Sequence, residues 1–276
     1  MLLLLSVLSG GAGGGAEPAP NADPPAVLRR VAERARTIAT ATNIPAASFR
    51  KLSISEFLDT DGEVRRATEK VYEVTLRRGM PQNRLVAVDG HELGAEESAQ
   101  RSAGERRWRE AYAGGGNSSP LDRMDRLVND RLFARFEFSI AGRETVRGHS
   151  CVIIAFEPRP GPLPEERLID RVINLLHGRI WVAENEDEIA RIEAHTEGTL
   201  NLWGGILGRL EEFRLRLERD RGAPGIWFNR RTEAVVRARK LFSTVNFRLR
   251  EVGGDPRTLP APVEDTGKVA PPVTGR

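Results

Sequence analysis

The chain of 276 residues is long enough for one large β-rich domain or two small ones, and its 39% hydrophobic and 29% charged residues are globular proportions. Lys plus Arg exceeds Asp plus Glu by only 42 − 39 = 3. Basic and acidic residues interleave, as in RLEEFRLRLERDR at 209–221, which argues against a nucleic-acid partner. A single cysteine, Cys151, excludes an intrachain disulfide.

The chain opens with MLLLLSVLSGGAGGGAEPAP, an apolar run followed by small residues and prolines. That order predicts a signal peptide over residues 1–16 and a flexible linker over 17–26, hence a protein that is periplasmic or otherwise exported. The apolar run is too short to span a bilayer as a helix, and no later segment is apolar enough to be transmembrane. PPAVLRRVAERARTIATAT (24–42) predicts an opening helix with Val27, Leu28, Val31, Ala32 and Ala35 on one stripe.

From Lys70 the period changes to two. KVYEVTLRRG sets Tyr72, Val74 and Leu76 on one face, and PQNRLVAVDG is the next strand, closed by an Asp89-Gly90 turn. A charged helical insertion over about 90–132 follows, with helices at about 95–112 and 120–131, the second started by Pro120. FARFEFSIAGRETV then sets Phe136, Phe138 and Ile140 against Arg135, Glu137 and Ser139. HSCVIIAFEP is apolar on both faces, which makes Cys151 a buried, inert small hydrophobe.

PEERLIDRVINLLHG (164–178) predicts a helix through Leu168, Val172 and Leu175. RIWVAENEDEIARIEAH (179–195) is a hairpin, with Ile180 and Val182 facing Ile192 and Ala194. TLNLWGGILGRL (199–210) is a glycine-rich apolar loop or strand, either packed in the core or lining a cavity mouth. EEFRLRLER points Phe213, Leu215 and Leu217 inward, and two further strands, GIWFNRRTEAVVRAR and LFSTVNFRLREV, complete the set. The tail from Gly253, with five prolines and no apolar period, predicts disorder over 253–276. The folded domain is thus expected over 27–252.

So clean an alternation points to an α+β fold: a curved, mostly antiparallel sheet wrapped around a few helices. The order of the last elements resembles the LolA-like family of periplasmic carriers, related to outer-membrane lipoprotein-sorting proteins. The marks are Trp181, the acidic turn Glu186-Asp187, Arg191-Ile192-Glu193, Gly225-Ile226-Trp227 and Val245-Asn246-Phe247, within a resemblance that covers roughly residues 70–251. It implies an incomplete β-barrel, a half-barrel with helices covering its concave face, and that face accommodates acyl chains. The insertion at 90–132 is long for a minimal carrier.

No catalytic constellation accompanies these elements, and no cofactor is implied. His91, His149, His177 and His195 are scattered, with no pair at metal-ligand spacing, so no metal site is expected. The acidic ENEDE at 184–188 reads as a polar turn, and the carboxylate pairs Glu165-Glu166 and Glu211-Glu212 as solvated element ends. There is no Gly-x-Ser-x-Gly elbow and no phosphate-binding loop.

The inward apolar residues carry the functional expectation: a ligand-binding face of Phe136, Phe138, Val182, Phe213, Leu215, Leu217 and Phe247. If helices cover it fully it is ordinary core; if a gap remains, it suits a lipid or lipoprotein acyl chain. At about 0.8 kcal/mol per buried methylene, one long chain gains on the order of 10 kcal/mol there. The expected protein is a monomeric, non-enzymatic lipid carrier. The alternative is an envelope structural or adaptor protein with a filled core, docking other envelope proteins through its Arg-rich outer face.

Overall fold

The computed structural model describes residues 23–41, 44–77, 80–112, 130–165, 168–202, 208–222, 225–240 and 243–259. The expected signal peptide, most of the linker, the Pro120 helix except its last two residues, Trp203, and the chain beyond 259 lie outside them. Four helices and thirteen strands are found among these residues. The helices are α1 (Pro24–Thr40), α2 (Ala95–Tyr112), α3 (Asp130–Arg135) and α4 (Leu168–Ile173). The strands are β1 (Ala47–Leu58), β2 (Val64–Arg77), β3 (Met80–Val88), β4 (His91–Glu92), β5 (Phe136–Val146), β6 (His149–Pro158) and β7 (Leu176–Ala183). They continue as β8 (Glu188–Thr196), β9 (Leu200–Leu202), β10 (Gly208–Arg221), β11 (Trp227–Lys240), β12 (Ser243–Gly253) and β13 (Arg257–Thr258).

All the strands join one open, curved sheet in the order β4-β3-β2-β1-β12-β11-β10-β8-β7-β6-β5, every pair antiparallel, with β13 beside β1 and β9 beside β10. The chain therefore meanders from β5 to β12 and closes on its own first strand, β1, which carries β2, β3 and β4 outward. The expected curved antiparallel sheet with helices on one face is what forms.

The helices hold the two flanks of that face. Asp23 caps α1 by accepting from Ala26 N at 3.2 Å, with prolines in the first turn whose missing N–H groups cost nothing there. The α1 stripe Val27, Leu28, Val31 and Ala32 packs on Phe136, Val152, Ile154, Ile180, Val182, Ile189, Ile192 and Leu217. At the other flank α2 packs on β3. Ser98 Oγ donates to Leu85 O at 2.5 Å, and Leu85 N donates to Ser102 Oγ at 3.1 Å. Those serines supply the ladder partners that an edge strand otherwise lacks.

Four expectations need correction. The strand β1 was not anticipated, because FRKLSISEFL mixes Lys51, Ser53 and Ser55 into its inward face and hides the alternation. The helix expected over 164–178 is helical only at 168–173; Leu176, His177 and Gly178 instead pair with Thr196, His195 and Ala194. Residues 133–135, expected as strand, close α3. The fold also runs past Val252: Gly254 N donates to Arg50 O at 2.8 Å, β13 pairs β1, and Leu259 N donates to Ala46 O at 2.7 Å. Gly253, read as the start of the tail, is a packing residue. A Cβ there would stand 2.8 Å from Asn229 O and 3.1 Å from the Phe49 ring.

Candidate functional site

The hairpin at 179–195 forms as expected, with Ile180 opposite Ile192. A bulge after Trp181 pairs Val182 with Ile189, not with the far end of β8. Its outward side is structural. The Trp181 indole N–H donates to Glu144 Oε2 at 2.8 Å, and the Arg191 guanidinium lies 5.0 Å from the Trp181 ring centroid. The acidic turn is a bracket as well: Glu184 binds Arg143 (3.0 Å), Glu186 accepts from the Trp227 indole (2.9 Å), and Asp187 accepts from Arg30 on α1 (3.0 Å). Every carboxylate named there is already paired, as a polar turn requires.

The convex face is a grid of such pairs. Glu56 lies between Arg248 (2.6 Å) and Arg250 (2.8 Å), and Glu218 accepts from Arg216 (2.7 Å) beside Arg191 (3.4 Å). Burial raises the Glu56 carboxyl pKa, but the hydrogen bond and charge of Arg248, joined by Arg250, leave it below its ordinary value. Burial likewise opposes, and Arg216 with Arg191 and Arg231 outweighs it, at Glu218. A groove of about 460 Å³ opens over β5–β8, lined at outward positions by Glu137, Glu157, His177, Arg179, Glu193 and His195.

Contrary to the sequence reading, two of the histidines are paired. His177 stands opposite His195 with ring centroids 6.2 Å apart, and both approach Glu197, at 3.6 and 3.7 Å. Only strand register could have brought them together. Among the described residues no group of three His, Cys, Asp or Glu side chains is arranged to hold a metal ion. Cys151 is fully buried, and burial pushes its thiol up to about 11, so no thiolate nucleophile is present near neutral pH.

The concave face divides in two. Phe136, Val182 and Leu217, three of the seven residues expected to bind ligand, lie wholly buried beneath α1. Phe138 and Leu215 sit at the border of that cluster; Phe138 makes edge-on contacts with Phe133 and Phe136, at 5.7 and 6.4 Å between centroids. Phe213 and Phe247 are farther out. Register aligns them across four strands: Phe213 opposite Val236, Val236 opposite Phe247, Phe247 opposite Phe57. The next row inward is Leu215, Ala234, Leu249 and Ser55.

These rows are half-exposed. Phe57 is 44% exposed and Val245, two residues before Phe247 on the same face, 38%. The remaining apolar members are intermediate. Sequence reasoning found Phe213, Leu215 and Phe247 by their alternation and missed Phe57, whose strand it did not recognise.

No family model and no curated protein matches the chain. Among solved structures it is similar to a DUF1329 family protein from Desulfovibrio piger (14% identity, 89% of this chain and 95% of that one, TM-score 0.30). It is also similar to a domain named for outer membrane lipoprotein sorting from Vibrio parahaemolyticus (9%, 85% and 93%, TM-score 0.36). A third is a LolA superfamily protein from Nitrosomonas europaea (12%, 84% and 94%, TM-score 0.32). A member of the LolA superfamily, the family that the sequence resembles, is thus among the structures to which the chain is similar. Likeness at these scores carries no argument about function, which rests below on the chain's own faces.

Proposed function

We propose that the protein is an exported, non-enzymatic carrier that shelters an acyl chain on the open part of its concave face. The observation that supports this is the half-exposed apolar strip of Phe57, Phe213, Leu215, Val236, Phe247 and Leu249, set by register across β1, β12, β11 and β10. Isolated exposed apolar residues are unremarkable, but a contiguous strip on a concave face costs solubility unless something covers it. At about 0.8 kcal/mol per methylene, a long chain laid along it gains on the order of 10 kcal/mol before ordering costs. No nucleophile or metal is needed for that role.

The adaptor reading is favoured less. Its filled core is present under α1, but many of the convex arginines it would use for docking are already engaged by carboxylates: Arg248 and Arg250 share Glu56, Arg216 and Arg191 share Glu218, and Arg84 pairs with Glu73. The test is native mass spectrometry with lipid extraction on protein purified from cell envelopes. Lipid bound to the native protein and lost in a folded Phe247→Glu variant is the expected result. An apo mass, together with no binding of a fluorescent fatty-acid probe, refutes the carrier.

A further inference from the structure

One step along the strands from the apolar strip, the same face turns polar. Lys70 on β2, Ser53 on β1, Glu251 on β12 and Thr232 on β11 lie side by side in register, and the next neighbour in that row, Leu217, is fully buried. Strands about 4.8 Å apart place the two hydroxyls on either side of Glu251, roughly 10 Å from each other.

The charges in this row are already spoken for. Lys51 Nζ binds Glu251 Oε1 at 3.0 Å and stands 5.1 Å over the Tyr72 ring; Lys70 Nζ binds Glu105 Oε1 of α2 at 2.6 Å. Tyr72 Oη donates to the same Glu105 carboxylate at 3.2 Å. Two ammonium groups thus meet two carboxylates, and the row has no net charge.

The hydroxyls are different. Ser53 and Thr232 are each only 6% exposed, and no hydrogen bond to either side chain forms among the described residues. Neither hydroxyl oxygen is among the fully buried atoms left without a partner, so both stay reachable from the face they share with the apolar strip.

Resting on the carrier reading above, we propose that this row is the head-group subsite of the same concave site. Its ligand is a long-chain amphiphile with an uncharged, hydrogen-bonding head, of the glycerol-ester class. The head bonds the Ser53 and Thr232 hydroxyls while the chain lies over Leu249, Phe247 and Val236. A phosphate or carboxylate head is disfavoured because it would bring an unpaired negative charge beside Glu251 and Glu105, whose lysines are already engaged.

The experiment compares binding of palmitoylglycerol and of palmitoyl lysophosphatidic acid to the full chain, by displacement of a neutral fluorescent lipid probe. The wild type is expected to bind the glycerol ester about ten-fold tighter or more, the margin of one uncompensated charge at a polar site. Ser53→Ala and Thr232→Val each weaken glycerol-ester binding about five-fold, the size of one net hydrogen bond, without changing lysophosphatidic acid binding. Ser53→Thr and Thr232→Ser, which keep the hydroxyl, restore it, and melting curves check that every variant folds. Equal or tighter binding of the phosphate, or no effect of removing the hydroxyls, overturns the subsite while leaving the carrier standing. Binding of neither lipid to the wild type overturns both.

Discussion

The ion pair between Arg135 and Asp170 makes the most demanding test of how the flank of the concave face is held. Arg135 closes α3 immediately before β5, and Asp170 lies on α4; the pair is 3.0 Å apart, with side chains 6% and 3% exposed. Arg135 also donates to Pro164 O at 2.7 Å and to the Asn174 side chain, so one guanidinium ties together three segments around α4. Arg135→Met preserves much of the apolar stem but takes from the buried Asp170 carboxylate the guanidinium that pairs with it. Breaking a buried pair in this way costs about 3–5 kcal/mol. In a domain of this size each kcal/mol lowers the melting temperature by about 2–4 °C, so a fall of about 6–20 °C is expected.

Replacing both partners, Arg135→Met with Asp170→Leu, removes the buried carboxylate together with its guanidinium and should recover a large part of the loss, because desolvation offsets much of what a buried pair contributes. Urea denaturation followed by circular dichroism gives all the free energies required. A single variant within about 1 kcal/mol of wild type, or a double variant no better than the single, refutes the view that taking the guanidinium from a buried carboxylate is the dominant cost.

Two further outcomes follow from the ionisable groups. Glu56 and Glu218 are held below the ordinary value of 4.5 in the folded chain, so the stability they contribute is complete above that value and is lost as pH falls through the lowered ones. Urea midpoints should therefore drop below about pH 4.5, less steeply in Glu56→Gln; an unchanged slope in that variant contradicts the assignment. Cys151, with its thiol pushed up to about 11, should resist iodoacetamide at pH 8 in the native protein and react fully in urea, as read by intact mass. Native alkylation at the rate of a free thiol would place Cys151 in an open part of the sheet.

What could be read from the sequence follows from where each residue's constraints lie. β10 was legible because Phe213, Leu215 and Leu217 alternate with Arg214, Arg216 and Glu218 within nine residues, and a period of two needs no partner strand to be recognised. The segment 164–178 was misread because Leu168, Val172 and Leu175 also satisfy a helical period. Pairing of Leu176–Gly178 with β8 decides the matter, and that information lies twenty residues away. β1 failed for the opposite reason. Its inward positions run Ala47, Phe49, Lys51, Ser53, Ser55 and Phe57, so one face serves a small apolar core, a polar row and an apolar strip in turn. An alternation test assumes that one face has one environment.

The same argument explains why the polar row escaped notice while the apolar one did not. An inward phenylalanine declares itself by hydrophobicity, but an inward serine or threonine in a strand looks like an outward one. Ser53, Glu251 and Thr232 sit nearly two hundred residues apart in the chain at the extremes, and become neighbours only because β1 closes against β12. Departures from simple patterning are expected where a fold supports a site and a uniform core does not, since a continuous apolar face would pack more stably. A concave face that turns from Leu217 to Thr232 in one strand spacing, and from Phe57 to Ser53 in four residues, therefore marks the place where this sheet departs from what packing alone requires.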